Sequence, residues 1–207
     1  MELSLVVSFL IAAVSLALMP GPDNLLVVTE SVTKGKRQGI GLSAGLASGV
    51  LVHTLGIATG VALILQTSPK ILLGIKVLGA LYMLYLAYTA FREKTAVTVQ
   101  WESDDAVNES FGKLFQKGVV MNVLNPKVTL FFIAFLPQFV SEEGWSYAVQ
   151  ITVLGALFMV QAFLVFSGMA LTADKLRHYI TSALFWQRVK WVKIGVLVAL
   201  SLVLVLL

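Results

Sequence analysis

The sequence contains no cysteine and only two histidines, His53 and His178. Without cysteine the chain can form neither a disulfide nor a thiolate metal site, and two histidines are too few for a histidine-based metal cage. The sequence also lacks an HExxH motif, an acidic cluster for metal-assisted hydrolysis and a nucleophile elbow. We therefore expect no metal and no other cofactor, and the sequence gives little support to a membrane-embedded enzyme.

Charge is also scarce: 13% of the 207 residues are charged and 58% are hydrophobic. Apolar runs recur along the whole chain and reach the roughly 20 residues that are needed to cross a bilayer. This pattern predicts an integral membrane protein. The net charge is +4, and the basic residues lie mostly in loops between the apolar runs. We therefore expect these residues to contact the anionic lipid of the inner leaflet, and we do not expect the protein to bind nucleic acid.

The apolar runs predict six membrane-spanning helices, at residues 3–33, 40–65, 71–91, 118–140, 147–171 and 191–207. Twelve of the 15 lysines and arginines fall in the odd-numbered loops, whereas the even-numbered loops hold Lys70 and the pair Glu142 and Glu143. By the positive-inside bias, the odd-numbered loops are cytoplasmic and both termini lie outside.

A hydrophilic linker at residues 96–109 divides this single transmembrane domain into two halves of three spans, residues 1–95 and 110–207. With three spans in each half, the second half must cross the membrane in the opposite sense to the first. After the linker, apolar residues alternate with Lys113 and Lys117 at helical spacing. This alternation predicts a short helix lying in the inner interface.

The first apolar run is interrupted by Met19-Pro20-Gly21-Pro22-Asp23-Asn24. Two prolines remove backbone donors and crowd the preceding turn, and an unbroken helix over residues 3–33 would extend about 46 Å against a hydrocarbon core of about 30 Å. The fourth run is interrupted in the same way by Asn122 and Asn125-Pro126-Lys127. Broken first and fourth helices in oppositely oriented halves are typical of inverted-repeat transporters, whose site lies where the half-helices meet.

The chemistry of such breaks suits a zwitterion. Free amides near Asp23 or Lys127 favour a carboxylate, and free carbonyls near Leu18 and Met19 favour an ammonium. Asp23 is a candidate to pair with the substrate ammonium or to carry a proton, and Lys127 to bind the carboxylate or to neutralise Asp23. The candidate substrate site comprises Pro20, Gly21, Pro22, Asp23, Asn24, Asn122, Asn125, Pro126 and Lys127. In the alternative interpretation the prolines only kink the helices, Asp23 caps one of them and Lys127 snorkels.

Three other features lie in or near the first two spans. His53 is either a proton relay or a hydrogen-bonded structural histidine. The glycines of the second span predict a close helix contact, because most of them share one face; they are Gly41, Gly45, Gly49, Gly56 and Gly60. Glu30 and Lys34 are spaced to form an ion pair along a helix.

These residues resemble the L-lysine exporter superfamily, in particular its LysE/RhtB branch of small amino-acid exporters. The resemblance is carried by residues 19–23, by the glycines of the second span, by residues 79–86, by Lys117-Gly118, by Asn122, by Asn125-Pro126-Lys127 and by Pro137-Gln138-Phe139. The sequence departs from the family at Ala87, where relatives usually have glycine.

The resemblance implies an exporter of amino acids or related metabolites in a bacterial cytoplasmic (inner) membrane. In such a membrane the distribution of basic residues places both termini in the periplasm. The resemblance also implies coupling to the proton motive force, with protons as the second partner, and formation of a homodimer by some relatives. We therefore expect a proton-antiporting secondary transporter. A passive channel or a membrane scaffold is the alternative, and nothing in the sequence decides which amino acid is exported.

Overall fold

The computed structural model describes residues 2–61, 69–92, 109–141, 144–180 and 182–206. Within these ranges every regular element is a helix and no strand is present. The helices are α1 (Leu3–Leu18), α2 (Pro22–Lys34), α3 (Lys36–Gly56), α4 (Pro69–Arg92), α5 (Phe111–Val123), α6 (Pro126–Leu130), α7 (Tyr147–Ile180) and α8 (Ala183–Leu206). A π-helical turn, Ile57–Val61, follows α3; α6 continues through a π-helical turn, Phe131–Phe135, and a 3₁₀ turn, Leu136–Phe139.

Both predicted helix breaks are confirmed. The axes of α1 and α2 meet at 59°, and those of α5 and the segment Pro126–Phe139 at 52°. Pro22 and Pro126 each occupy the first turn of the downstream helix, where the missing N–H needs no partner. Four further helices are long and apolar enough to cross a membrane, so the chain has up to six spans when each bent pair is one span.

The structure corrects several predicted boundaries. The short helix predicted after the linker is present, but it is not separate from the fourth span, because the residues around Lys113 and Lys117 form the first turns of α5, which continues to Val123. Leu114, on that stretch, is buried against the rest of the protein. The fifth and sixth spans also belong to longer helices than hydropathy predicts, since polar residues extend α7 to Ile180 and α8 begins at Ala183.

Glycine allows α3 and α5 to touch along their backbones. A Cβ atom added at Gly45 would collide with the backbone of Phe115, and one at Gly118 would lie 2.5 Å from the carbonyl oxygen of Leu42. Gly41 and Gly49 also face α5, so the predicted contact is confirmed for three glycines of the second span. It is wrong for Gly56 and Gly60, which have no described atom within 4 Å of an added Cβ and so lie off this contact.

The two halves interdigitate around this contact. Helix α3 packs against α5 and α7, α4 packs against α8, and α7 also contacts α1 and α2. Many large apolar side chains of α4 and α8 are exposed, among them Leu73, Leu78, Val205 and Leu206. Exposed apolar faces of this kind suit helices that lie against lipid.

Candidate functional site

The two breaks meet at one buried ion pair. The Nζ atom of Lys127, at the start of α6, lies 3.3 Å from Oδ2 of Asp23, at the start of α2. Asp23 is 1% exposed and the Lys127 side chain 12% exposed. Because an ionised group is expensive inside a membrane, each charge needs the other, and the pair fixes the two half-helices together.

The ammonium of Lys127 also lies at the carboxyl end of α1. Its Nζ atom donates to the backbone oxygens of Leu16 and Met19, both at 3.3 Å. The last carbonyls of a helix carry partial negative charge, which favours a cation. The sequence predicts a cation position near these carbonyls, and in this structure Lys127 itself fills it while neutralising Asp23.

In Asn24 and Asn125, one polar atom of the side-chain amide is hydrogen-bonded and the other is not. Nδ2 of Asn24 donates to the Ala17 oxygen at 2.8 Å, which fixes the orientation of the amide, and Oδ1 of Asn125 accepts from the backbone N–H of Lys127 at 3.0 Å. Asn122, in the last turn of α5, is 2% exposed. All three side chains therefore lie at the breaks, beside Asp23 and Lys127.

Unpartnered polar atoms concentrate at this point. Oδ1 of Asp23, Oδ1 of Asn24, Oδ1 of Asn122 and Nδ2 of Asn125 are buried without a hydrogen-bond partner. Buried polar atoms in proteins are nearly always hydrogen-bonded, to protein, water or a ligand. Three unsatisfied acceptors and one donor at the two breaks thus mark a place that can bind a small polar molecule.

Gly21 provides space next to these groups. A Cβ atom at this position would lie 2.7 Å from Oδ1 of Asp23, 3.4 Å from Nζ of Lys127 and 3.9 Å from Oδ1 of Asn24. The backbone of Gly21 is extended, with φ of −158°, so glycine is required here for space and not for an unusual conformation. The side chains of Asp23, Lys127 and Asn24 thus surround the position that a Cβ atom would take at residue 21.

Two cavities adjoin the breaks. The smaller, about 10 Å³, lies between Asp23, Asn122, Lys127 and the rings of Phe158 and Phe166. A volume of about 10–15 Å³ holds a single water molecule, so this cavity cannot hold an amino acid. The larger, about 410 Å³, is bordered by Pro20, Gly21 and Asn24.

Toward the end of the bundle where α1 begins, aromatic rings pack together next to the site. This aromatic cluster comprises Phe9, Phe131, Phe132, Phe135, Phe139 and Phe158, all nearly fully buried. Its rings touch in edge-to-face and stacked pairs, for example Phe9 with Phe139 at 5.5 Å and Phe131 with Phe135 at 5.3 Å between centroids. The cluster packs α1, the segment after α6, and α7 against one another.

Toward the opposite end lies a group of ion pairs. The predicted pair of Glu30 with Lys34 is confirmed at 3.0 Å, and Glu30 also pairs with Lys117 at 2.7 Å, while Lys34 reaches Glu109 at 3.0 Å. We call Glu30, Lys34, Glu109 and Lys117 the charged cluster. Hydrogen bonding to Lys34 lowers the pKa of the Glu109 carboxyl below its usual value.

His53 lies close to the second break without entering the ion pair. Its Nε2 atom is 3.3 Å from the backbone oxygen of Asn122, and its ring packs 5.6 Å from that of Phe132. Asn122 in turn lines the small cavity beside Asp23. His53 thus contacts the backbone that carries a site residue, a geometry that both interpretations of this histidine accommodate.

Buried polar groups at the meeting point of two interrupted membrane helices define the chain as a protein of the membrane-transporter class. The family model for the LysE type translocator matches residues 14–206, and the chain belongs to that family. It is 33% identical to an uncharacterised membrane protein of Pseudomonas aeruginosa, over 80% of both chains.

A leucine efflux protein of Salmonella typhimurium is 27% identical, over 84% of this chain and 81% of that protein. An uncharacterised membrane protein of Vibrio cholerae is also 27% identical, over 88% and 87% of the two chains. No solved structure gives a significant match. The family and its efflux member support amino-acid export as the general activity.

Proposed function

We propose that this protein is a secondary active exporter that moves amino acids or related small zwitterionic metabolites out of the cytoplasm in exchange for protons. The observation that carries the proposal is the ion pair of Asp23 and Lys127. This pair joins the two helix breaks next to the last carbonyl groups at the end of α1. An amino acid carries the same two charges on one carbon. It can therefore replace each partner of this pair with one of its own groups.

The replacement follows from the geometry. The substrate ammonium takes the position now held by Lys127, against Asp23 and the oxygens of Leu16 and Met19. Lys127, released from these contacts, binds the substrate carboxylate. The unpartnered oxygens of Asn24 and Asn122 supply further acceptors for the ammonium. The pair of Asp23 and Lys127 is thus replaced by two pairs, Asp23 with the substrate ammonium and Lys127 with the substrate carboxylate. Every buried charge stays neutralised, as a low-dielectric site requires.

Alternating access needs a seal on each side of the site. The aromatic cluster and the charged cluster lie on opposite sides along the helix axes and supply those seals. Corresponding helices of the two halves also contact each other, α3 with α7 and α4 with α8. These contacts support a pseudo-two-fold arrangement of inverted repeats, about which one half can rock against the other.

Proton coupling follows from competition for Asp23. When Asp23 is ionised it attracts the substrate ammonium; when it takes up a proton from the outside, it loses that attraction and the substrate leaves. One proton crossing 100 mV releases about 2.3 kcal/mol. At about 1.4 kcal/mol per factor of ten, this energy sustains a gradient of roughly forty-fold.

The proposal includes a location and an orientation. The chain lies in a bacterial inner membrane, with the charged cluster at the cytoplasmic face and both termini in the periplasm, as the distribution of basic residues indicates. The family assignment favours transport over a membrane-embedded enzyme. Formation of a homodimer stays a prediction from the family resemblance.

Transport by purified protein in proteoliposomes tests the function. With a proton gradient imposed, we expect wild-type protein to drive amino-acid movement and Asp23→Asn to abolish that drive while the protein still folds. Ser15→Ala, which removes only a hydroxyl bonded to the Ile11 oxygen of α1, is the control and retains the activity. Proton-driven transport at wild-type rate in Asp23→Asn contradicts the proposed coupling.

Counterflow separates a carrier from a passive channel. A carrier exchanges labelled substrate faster when unlabelled substrate is present on the far side, because its loaded form returns more readily than its empty form. A channel shows no such acceleration. We expect accelerated exchange, and its absence in protein that still conducts amino acids would support the channel alternative.

A further inference from the structure

We infer that the cavity of about 410 Å³ beside Gly21 binds the substrate's side chain, and that it selects neutral amino acids with bulky aliphatic or aromatic side chains. The inference rests on the proposed function, since it assigns the substrate class of that same site. We call this cavity the side pocket. Its volume falls within the roughly 300–1,000 Å³ typical of small-molecule sites.

The lining of the side pocket is almost entirely apolar. Break residues, α2, α7 and α8 each contribute a wall, and Arg188 is the one charged residue among them. The lining residues are Leu18, Pro20, Gly21, Asn24, Leu25, Val28, Met169, Phe185, Trp186, Arg188, Val189 and Val192. A hydrocarbon side chain is therefore favoured here, whereas a positively charged one would lose its hydration without gaining a partner of opposite sign inside the wall.

The side pocket meets the polar site at Gly21. Gly21 lines the pocket, and the point that its Cβ would occupy lies within 4 Å of Asp23, Lys127 and Asn24. A substrate whose α-carbon sits next to Gly21 thus has its two charged groups beside the ion pair. Its side chain then extends into the pocket.

Asn24 supplies an independent sign of a ligand at this junction. The residue is 7% exposed and lines the side pocket, and its Oδ1 atom has no hydrogen-bond partner. Rotation of the amide cannot satisfy it, because Nδ2 is already bonded to the Ala17 oxygen at 2.8 Å. The unpartnered acceptor therefore lies where the substrate's ammonium would enter.

The apolar wall sets the expected selectivity. Burial of one methylene favours binding by about fourfold, so leucine, with three more carbon atoms than alanine, is favoured by up to roughly sixty-fold. Arg188 adds a repulsion against lysine and arginine as substrates, because it is the only cation on the pocket wall. Leucine-sized and phenylalanine-sized substrates should accordingly exceed both alanine and lysine.

The test narrows the pocket from a position that tolerates a large side chain. Val192 lines the pocket, and 59% of it is exposed, so Val192→Trp adds bulk without overfilling the core. Val203→Trp is the matched control, since Val203 is an exposed valine of the same helix that does not line the pocket. Counterflow into proteoliposomes is measured for leucine, phenylalanine, alanine and lysine with the wild type and both variants.

We expect the wild type to exchange leucine and phenylalanine at least tenfold better than alanine or lysine. Val192→Trp should lower leucine and phenylalanine exchange at least fivefold and leave alanine exchange within twofold, whereas Val203→Trp should change none of them. Equal wild-type rates for leucine and alanine overturn the inference, and so does a Val192→Trp protein with wild-type selectivity, the result expected when the pocket holds only a lipid chain.

The outcomes separate this inference from the proposed function. If amino-acid exchange is lost in Asp23→Asn but is unchanged in Val192→Trp, the role of the side pocket is overturned, and amino-acid export is still supported. Absence of counterflow for every amino acid in folded wild-type protein overturns both.

Discussion

The Nζ atom of Lys117, in α5, lies 2.7 Å from Oε1 of Glu30, in α2, and this ion pair joins the two halves of the chain in addition to the pair of Asp23 and Lys127. Glu30 is 4% exposed, and its other oxygen lies 3.0 Å from Lys34. One buried carboxylate thus holds two lysines. Since a buried carboxylate without a cation is strongly unfavourable, either lysine alone should suffice to neutralise it.

The first prediction follows from this redundancy. We expect Lys117→Met and Lys34→Met each to lower the free energy of unfolding by about 1 kcal/mol, because Glu30 keeps one cation in each variant. The double variant should lose at least about 1 kcal/mol more than the sum, because Glu30 is then buried alone. Unfolding in mixed detergent micelles measures all four proteins of this double-mutant cycle.

Glu30→Gln provides the control for the same cycle. With the carboxylate removed, the two lysines share no partner, and their substitutions should add. A cycle that is additive with Glu30 in place would show that the ion pairs, although short, contribute little to stability.

A second prediction concerns the acid side of the charged cluster. The Lys34 ammonium, 3.0 Å away, lowers the pKa of the Glu109 carboxyl below its ordinary value of 4.5. A carboxyl whose pKa is lower in the folded state stabilises that state above its unfolded pKa, and the contribution disappears as the pH falls through the folded pKa. The pair should therefore stabilise the protein at neutral pH and lose its effect in acid.

The measurement compares wild-type protein with Glu109→Gln across this range. Because the pair is partly exposed, the difference in unfolding free energy should be only about 0.2–1 kcal/mol at neutral pH, and it should shrink as the pH falls through the lowered pKa of Glu109. In a Lys34→Met background, the same substitution should make a smaller pH-dependent difference, because only the charges of Lys117 and Lys113 then lower the pKa of Glu109. A difference that instead grows in acid would contradict the sign of the pKa shift.

The breaks and the residues that meet there are the part of the fold that the sequence predicts well. Proline removes a donor and crowds the preceding turn wherever it occurs in a helix, so Pro22 and Pro126 mark the breaks without knowledge of neighbours. Opposite charges at Asp23 and Lys127, each directly after such a proline, further indicate a pair. The structure places these two charges 3.3 Å apart.

Contacts between distant residues are not predictable in the same way. From the sequence, Lys117 can be recognised only as a basic residue near a membrane span. No local pattern shows that it pairs with Glu30 or that its segment packs on α3. The contact depends on Gly45 and Gly118, which allow two backbones to approach, and periodicity shows the glycine face but not its partner. The side pocket is likewise a product of α2, α7 and α8 together.

The glycine contact gives the third prediction. Gly45→Ala places a methyl group against the backbone of Phe115, which cannot rotate away, so α3 and α5 must separate. Overpacking of this kind costs roughly 1–3 kcal/mol. We expect a corresponding fall in the free energy of unfolding, together with reduced transport, since α5 ends at the second break.

Gly56→Ala is the matched control for this contact. Gly56 is in the same helix, and an added Cβ there has no described atom within 4 Å. Alanine also favours helix over glycine by about 1 kcal/mol, so Gly56→Ala should be neutral or slightly stabilising. Similar losses for both substitutions would show that helix flexibility, and not the close contact with Phe115, is what the glycines provide.

The fourth prediction decides between the two roles of His53. Its Nε2 atom lies 3.3 Å from the Asn122 oxygen, and since a carbonyl only accepts, a hydrogen bond here requires that Nε2 carry the proton. A histidine that donates this bond holds the end of α5 in place, and the bond itself involves no transfer of a proton. Glutamine can donate the same bond but cannot relay a proton, whereas leucine can do neither.

We therefore expect His53→Gln to keep proton-driven transport and stability near the wild-type level. His53→Leu should lower the free energy of unfolding by about 0.5–1.5 kcal/mol, because one hydrogen bond is lost while the Asn122 oxygen still accepts from the Asn125 N–H at 3.0 Å. The remaining transport should still respond to the proton gradient. Both variants are compared in proteoliposomes at matched protein content. Loss of proton coupling in His53→Gln, with unchanged stability and counterflow, would instead assign His53 to the proton path. Histidine can take up and release a proton at this position, whereas glutamine cannot.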